Sequence, residues 1–226
     1  MENITNKTLK KRILQISHKY HLSHLGSNLT AVDIIDEIYK TKKPNEKFVL
    51  SAGHAHLAHL IVLAKQEMDQ VKNDPKYPSS IVEKNYLRRI GQYGIHCDRQ
   101  AGCDVSTGSL GHGLPIAVGM ALADRSKDVY CLISDGECSE GSIWEALRIK
   151  NEQTLHNLHI YVNANGWGAY KEININTLYY AQILGFTGVN FRETNCNYLP
   201  FLKGQDAHYH VMTDEEFEEG MRILNV

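Results

Sequence analysis

The residues between 129 and 162 constrain the fold more than any other part of the sequence. Two apolar segments, Val129–Ser134 and Leu158–Val162, flank a helical segment around Trp144 and Leu147. Strand, helix and strand within about 35 residues are typical of a parallel βαβ unit. We therefore predict an α/β fold, with a doubly wound, mostly parallel sheet that carries helices on both faces.

The remaining periodicity predicts further helices and strands. Leu9, Ile13 and Ile16 form one apolar stripe of a first helix over residues 6–19. The segment Thr30–Asp33 resembles a capping box that opens a second helix, which leaves Ser23–Ser27 as a loop. Further segments predict helices over 55–66, 80–90 and 115–124, a strand over 48–51, and one more strand entry at 183–186. Because 42% of the 226 residues are hydrophobic, one core can form, and we predict a single domain over residues 1–226.

Charge and hydropathy exclude several classes of partner. The net charge is −2 and the sequence has no basic block, which argues against nucleic acid as a partner. No apolar window reaches the length that spans a membrane, so we predict no membrane partner. The N-terminal residues lack the apolar core of a signal peptide, and we therefore expect a cytoplasmic protein.

The cysteines and histidines lack the spacing of familiar metal motifs. The five cysteines are odd in number and form no C-x-x-C pair, which argues against a disulfide framework and against a structural zinc site. We therefore predict five free thiols. Twelve histidines are unusual for this length, but no H-E-x-x-H or comparable zinc spacing is present.

Two polar residues directly follow the two predicted strands. Asp135 follows the first strand, and Asn165 comes shortly after the second. Ligands of open parallel sheets bind where strands end, so these side chains are expected to converge. Carboxylate and amide oxygens suit Mg²⁺, which shares its remaining ligands with phosphate and water. The alternative is that Asp135-Gly136 and Asn165-Gly166 are ordinary turns, because both dipeptides are common in turns.

Five ordered motifs resemble one known family. The chain is similar to the N-terminal, thiamine-diphosphate-binding part of transketolases, including the separately encoded N-terminal subunits of split transketolases. The motifs are S-H-L-G at 23–26, F-V-L-S-A-G-H at 48–54, G-I-H at 94–96, S-T-G-S-L-G-H-G at 106–113, and D-G-E-C-S-E-G at 135–141 with N-G-W at 165–167. The similarity runs from residue 9 to about 170 and is weak beyond it.

The resemblance implies a cofactor site at the strand ends. Asp135 and Asn165 match metal ligands that act through side-chain oxygens, and Trp167 matches one that acts through its carbonyl. The implied metal is Mg²⁺, with Ca²⁺ or Mn²⁺ as substitutes. The residues expected at thiamine diphosphate are His54, Gly108, Ser109, Leu110, Asp135, Gly136, Glu137, Asn165 and Trp167.

The resemblance also implies catalytic residues. His24, His54, His96 and His208 match active-site histidines, and Glu140 and Glu145 match glutamates of a proton network at the subunit interface. The other histidines for which we considered a role, and to which the resemblance assigns none, are His56, His59, His112, His156 and His159.

The implied reaction transfers a two-carbon ketol unit from a ketose phosphate to an aldose acceptor. In the family an activating glutamate lies on a separate pyrimidine-binding domain, for which 226 residues leave no room. We therefore expect one subunit of a heterotetramer, with two copies of this chain and two of a C-terminal subunit.

Departures from the family motifs keep two alternatives open. Leu25, Ile95 and His112 stand where the family has other residues, and the segment after Tyr170 is shorter than usual. A specialised sugar or an α-keto acid donor is one alternative. The other is a partner-binding module of the same fold without catalytic activity.

Overall fold

The computed structural model of the protein describes residues 5–71, 79–174 and 187–225. In this part of the chain, four parallel strands form one sheet in the order β1-β2-β3-β4. The strands are β1 Lys47–Leu50, β2 Val129–Ser134, β3 Leu158–Ala164 and β4 Val189–Glu193. The βαβ prediction is confirmed, since β2 and β3 lie side by side with Ser134 opposite Asn163.

Seven helices and three short 3-10 turns accompany the sheet in the described ranges. The helices are α1 Lys7–Lys19, α2 Leu25–Thr41, α3 His56–Gln70, α4 Ser79–Tyr93, α5 Gly113–Ala123, α6 Gly141–Glu152 and α7 Asp214–Asn225. The 3-10 turns are Gly53–Ala55, Gly136–Ser139 and Gln205–His208. The helices predicted over 6–19, 55–66, 80–90 and 115–124 are confirmed to within a few residues at each end.

Alternating side chains of the strands divide the core into two layers. Phe48, Leu50 and Leu132 pack on the face covered by α1, α2 and α3. Val49 and Ile133 pack on the other face, against α5 and α6. Successive residues of a strand point to opposite faces, so a strand that is apolar throughout is buried on both sides. Helices therefore cover both faces, as the fold prediction requires.

The predicted start of the second helix is wrong. α2 begins at Leu25, five residues before the proposed cap, and Leu25 is fully buried. The Thr30 hydroxyl lies inside the helix and donates a hydrogen bond of 3.0 Å to the Gly26 carbonyl. A threonine hydroxyl can bond back to the preceding turn, and this local bond mimics a capping signal in the sequence. The residue before the helix is His24, whose φ of 61° is left-handed.

The end of the described chain packs on its beginning. His18 at the end of α1 lies 2.7 Å from the Asp214 carboxylate at the start of α7. Gly220 of α7 leaves no room for a side chain beside Leu14, since a Cβ there would lie 2.9 Å from a Leu14 methyl group. Neither α7 nor β4 was predicted, and the strand entry proposed at 183–186 falls outside the described residues. None of the helices described is both long enough and apolar enough to cross a membrane.

Candidate functional site

The ends of β2 and β3 bring Asp135 against the loop that carries Asn165. The Asp135 carboxylate is 0% exposed; its Oδ1 accepts from the Gly136 N–H at 2.9 Å and its Oδ2 from the Gly166 N–H at 2.6 Å. The Asn165 Oδ1 accepts from the Trp167 N–H at 2.9 Å. We call Asp135, Gly136, Asn165 and Trp167 the sheet-edge site. One carboxylate thus joins the loops that follow two adjacent strands.

Asp135 has the electrostatic character of a cation ligand. Burial raises the pKa of its carboxyl to about 6, although hydrogen bonds from the backbone of Gly166 and Gly136 oppose the rise. Among the described residues, no Lys, Arg or His forms an ion pair with it. A buried carboxylate without a positive partner is costly, and Mg²⁺ would supply the missing charge. The residues present therefore fit a metal with a phosphate-bearing ligand.

A cleft lies beside this site. It has a volume of about 160 Å³, with Asn165 and Trp167 on one side and Gly26 and His208 on the other. At Gly136 a Cβ would lie 3.1 Å from the Gly168 backbone, so the two loops meet too closely for a side chain. Trp167 is 37% exposed. The cleft connects the sheet-edge site with a second group of predicted residues.

Four of the predicted histidines meet in one place. We call His24, His54, His96 and His208 the histidine group. The ring centre of His24 lies 5.5 Å from that of His54, 6.2 Å from that of His96 and 4.8 Å from that of His208. His54 and His208 are 5.4 Å apart. The structure therefore brings together residues that are up to 184 positions apart in the sequence.

Burial favours the uncharged form of three of these histidines, His24, His54 and His208. It lowers the pKa of His24 to about 4 and that of His54 to about 3, and neighbouring histidines lower both further. Burial also lowers the pKa of His208. A neutral imidazole can both donate and accept a hydrogen bond, which suits contact with hydroxyl groups.

Two residues next to the histidine group were not predicted as site residues from the sequence. Asn28 is 2% exposed, and its amide donates to the carbonyls of His24 at 2.9 Å and His54 at 3.3 Å. Its Oδ1 accepts from the Ala58 N–H at 2.9 Å. Tyr209 is 58% exposed, with its ring 5.7 Å from His24. Asn28 stands between Leu25 and Leu29, and an amide side chain among such apolar positions of a helix was the signal that could have identified it.

The glycine loop, residues 108–113, lies next to the histidine group. A Cβ at Gly108 would lie 3.3 Å from the His96 ring, so the loop passes directly beside that imidazole. Ser109 is exposed and Leu110 is half-buried, which leaves both accessible from outside the chain. Their predicted contact with a cofactor stays a prediction.

Glu137 holds the glycine loop in place. Its carboxylate is 0% exposed and accepts from the Ser51 hydroxyl at 2.5 Å, the Gly111 N–H at 2.9 Å and the Ser134 N–H at 3.0 Å. Burial raises its pKa, while these three donors lower it. The side chain is committed to protein donors, so it positions the loop, and Ser51 is a part of this arrangement that the sequence did not reveal.

The two predicted glutamates of the proton network lie away from the histidine group. Glu140 is half-buried beside Gly111, where a Cβ would meet it at 2.8 Å. Glu145 is exposed on α6, and its nearest charged partner is Arg148 at 4.0 Å. Their predicted interface role is untested by a single chain and stays a prediction.

Comparison with known proteins identifies the family. A family model described as 1-deoxy-D-xylulose-5-phosphate synthase matches residues 2–185. An apulose-4-phosphate transketolase subunit from Phocaeicola vulgatus is 29% identical over 175 residues, which cover 69% of this chain and 58% of that protein. The 6-deoxy-6-sulfo-D-fructose transketolase subunit from a Clostridium species is 31% identical, over 74% of this chain and 64% of that protein. Human transketolase is 38% identical over 141 residues, which cover 58% of this chain and 21% of the enzyme.

Solved structures agree with this assignment at the level of the fold. The transketolase of Leishmania mexicana superimposes with a TM-score of 0.70 at 17% identity, over 97% of this chain and 40% of that one. A transketolase variant from Pichia stipitis gives a TM-score of 0.72 at 18% identity. The chain therefore spans less than two thirds of the length of these relatives. It belongs to the family described as 1-deoxy-D-xylulose-5-phosphate synthase and is an N-terminal domain of the transketolase type, with a thiamine-diphosphate-binding fold.

Proposed function

We propose that this chain binds thiamine diphosphate and Mg²⁺ at the sheet-edge site and works as one subunit of a transketolase-type enzyme. The enzyme would move a two-carbon ketol unit from a ketose phosphate to an aldose. The observation that carries this proposal is the buried Asp135 carboxylate, which lacks a basic partner among the described residues and is hydrogen-bonded to the loop whose Asn165 and Trp167 line a cleft together with His208. A cation and an anionic ligand would complete that arrangement.

The residues of the chain divide the work between the sheet-edge site and the histidine group. Asp135, Asn165 and the Trp167 carbonyl would hold the metal and, through it, the diphosphate. Thiamine diphosphate, when bound, supplies the electron sink for breaking a bond beside a carbonyl. His24, His54 and His208 would bind sugar hydroxyls as neutral imidazoles, and the histidine group as a whole would orient the donor and exchange protons with it.

Several observations support a second, partner chain. Two relatives are named as transketolase subunits, and the aligned part of each is less than two thirds of its length. Helix α5 has no charged residue, and its Ile116 and Leu122 are each 38% exposed. A helix that is apolar all round is normally buried, so α5 and the exposed Ser109 fit a surface covered by another chain. We propose that this other chain is the C-terminal, pyrimidine-binding subunit, with two copies of each in a closed assembly.

Free cysteines fit a reducing compartment. All five cysteines are unpaired, which confirms the prediction of free thiols. Disulfides are rare in the cytosol, so this pattern supports a cytoplasmic location.

Calorimetry and an assay of turnover test the proposal. Thiamine diphosphate is titrated into the chain with its C-terminal subunit, with and without Mg²⁺, and we expect binding only when the metal is present. Ketol transfer is then measured for the two isolated subunits and for their mixture, and only the mixture should turn over. Absence of Mg²⁺-dependent binding in the mixture would favour the non-catalytic module.

A panel of donor substrates distinguishes the proposed ketol transfer from a second candidate function. The matching family model is described as a synthase and not as a transketolase, so an α-keto acid donor stays the alternative. Xylulose 5-phosphate and pyruvate would be compared at equal concentration with the same acceptor. Preference for the ketose phosphate supports the proposal, and preference for pyruvate contradicts it.

A further inference from the structure

Four buried side chains behind the histidine group have no role in the proposed reaction. His56 and His59 lie in the first turn of α3, and Cys97 and Cys103 lie in the loop formed by residues 94–112. They are 0%, 2%, 4% and 7% exposed, respectively. One ring nitrogen of each histidine and the sulfur of each cysteine all lie within 4.8 Å of one another. We call these residues the His–Cys cluster.

Three of the nitrogen–sulfur distances inside the cluster match the edges of a tetrahedron around one ion. The His56 Nδ1 lies 3.5 Å from the Cys97 Sγ and 3.6 Å from the Cys103 Sγ. The His59 Nδ1 lies 3.7 Å from the Cys103 Sγ. Zinc bonds of about 2.3 Å to sulfur and about 2.0–2.1 Å to nitrogen, arranged tetrahedrally, place the two ligands about 3.6 Å apart.

The second ring nitrogen of His59 has a polar partner outside the cluster, as metal-binding histidines usually do. The His59 Nε2 lies 2.7 Å from the Tyr39 Oη, and in the tautomer in which Nε2 donates to that oxygen, Nδ1 carries no proton and can bind a metal in the cluster. A metal-binding histidine normally engages a second partner through its other nitrogen in this way. The rings of Tyr39 and Phe48 close the surroundings, with Phe48 5.0 Å from His59. The His56 Nε2 has no hydrogen-bond partner among the described residues. The polar contacts of this ring are therefore those that its Nδ1 makes with the two cysteines.

The metal-bound form of the cluster has the charge that a divalent ion balances. Zinc displaces the two thiol protons, and the resulting two thiolates and two neutral imidazoles carry a charge of −2, which Zn²⁺ neutralises within a buried space. The two acidic residues next to the cysteines in the sequence are occupied elsewhere: the Asp104 carboxylate binds Lys47 at 2.6 Å and the Phe48 N–H at 3.0 Å, and the Asp98 carboxylate accepts from the Gln100 N–H at 2.7 Å. The four side chains therefore form a complete set of ligands of the type that structural zinc sites use.

We propose that His56, His59, Cys97 and Cys103 form a structural zinc site that fastens the 94–112 loop to α3. The spacing argument against zinc missed this site because its ligands come in two pairs that lie about 40 positions apart. No helix or strand forms within residues 94–112, and loops of more than about 12–15 residues without such structure are uncommon in compact domains. A metal clip that closes a long loop stabilises the folded chain.

The position of the site links it to the cofactor-facing residues. His54 and His96 of the histidine group lie two and one residues from ligands, and the glycine loop continues the same segment. Gly53 packs against the loop, where a Cβ would lie 2.6 Å from the Thr107 carbonyl. The zinc ion would fix the start of α3 and the 94–112 loop relative to each other, and with them His54, His96 and the glycine loop. Zinc binding itself does not depend on the proposed ketol transfer.

Metal analysis of the full chain tests the proposal. The protein is purified under reducing conditions, with its zinc measured by mass spectrometry, and we expect one zinc per chain. The metal is then stripped with a chelator and replaced by Co²⁺. A thiolate-to-cobalt charge-transfer band with the visible absorption of tetrahedral cobalt is expected, and the sheet-edge site cannot produce that band because it contains no sulfur. A reduced protein without zinc and without this band would overturn the proposal.

Variants separate zinc from its alternatives. C97S and C103S should each lose the band, whereas C196S, which changes a half-buried thiol outside the cluster, should keep it. Tyr39→Phe should retain one site but bind zinc about 10- to 100-fold more weakly, as loss of a supporting partner does elsewhere. If the cysteine variants fail to fold, the cobalt-substituted native chain still decides the question. A Cys97–Cys103 disulfide in the freshly purified native protein, found by alkylation and mass spectrometry, contradicts the proposal.

Discussion

The sheet-edge site and the histidine group each contribute residues to one cleft, and burial affects them in opposite directions. It raises the pKa of Asp135 to about 6 and lowers that of His24 to about 4. In both cases burial favours the neutral form of the side chain. At pH 7, however, Asp135 is ionised and needs a positive partner, whereas His24 is uncharged and needs none. One region is built to be completed by a cation, and the other is built to exchange hydrogen bonds.

The largest expected effect concerns the charge of Asp135. Asp135→Asn should weaken Mg²⁺-dependent binding of thiamine diphosphate by at least about 100-fold, since loss of even an outer partner of a metal ligand costs about 10–100-fold. Isothermal calorimetry of the chain with its C-terminal subunit measures the change. Asp128→Asn, at a partly exposed acid beside His159, is the matched control and should have little effect. An equal loss in His24→Asn would remove the distinction between the two regions.

The second effect tests how the histidine group is held. Asn28→Ala should lower the free energy of unfolding by about 3 kcal/mol, because it leaves the His54 carbonyl and the Ala58 N–H buried without this partner, each costing about 1–3 kcal/mol unless water replaces it. The His24 carbonyl keeps its hydrogen bond from the residue-28 backbone N–H. Chemical denaturation measures this value. The exposed Asn151→Ala should change it by less than about 0.5 kcal/mol. A loss no greater than that of the control would show that the group does not depend on Asn28.

A third effect concerns the close contact that joins the end of β1 to the glycine loop. Gly53→Ala should destabilise the fold by about 1–3 kcal/mol, since the added methyl group would meet the Thr107 carbonyl. Gly91→Ala is the control, because that position in α4 is exposed and has no atom within 4 Å of the added carbon in the described residues. It should raise stability by about 0.5–1 kcal/mol. Equal changes in thermal denaturation would contradict the role of this contact.

The smallest effect is the pH dependence contributed by His24. Its pKa is near 4 in the folded chain and 6.5 in the unfolded chain, so the unfolded state binds the proton first as the pH falls. Stability should therefore decrease between pH 6.5 and 4, by less than about 1.4 kcal/mol per pH unit from this one group. His24→Asn should flatten the profile, and asparagine tolerates the left-handed backbone there. The exposed His156→Asn should leave the slope unchanged, and a profile equally steep in H24N would contradict the assignment.

The two regions also differ in how far the sequence could predict them. Asp135 and Asn165 follow adjacent strands, so a short pattern of apolar segments and polar ends places both at one edge of the sheet. The histidine group joins segments around residues 24, 54, 96 and 208, and only the resemblance to a known family related them. Local pattern predicts local neighbours, whereas tertiary packing decides which distant segments meet.

Other features lay beyond the sequence for specific physical reasons. The Thr30 hydroxyl donates to a carbonyl of its own helix and does not cap the start of that helix. The capping-box pattern therefore placed the predicted start of α2 five residues too late. Glu137 belongs to a motif that predicts a cofactor contact, but its three protein donors come from Ser51 directly after β1, from β2 and from the glycine loop. β4 is only partly buried and shows no clear alternation, which left it without a recognisable signal.

The uncharged surface of α5 has a practical consequence for handling the protein. Charged side chains on a surface keep copies of a molecule apart in solution, and this helix offers none. At high concentration the isolated chain should therefore self-associate through this side, and light scattering should rise with concentration. Co-expression with the partner chain that we propose to cover α5 should suppress this colloidal instability and help crystallisation.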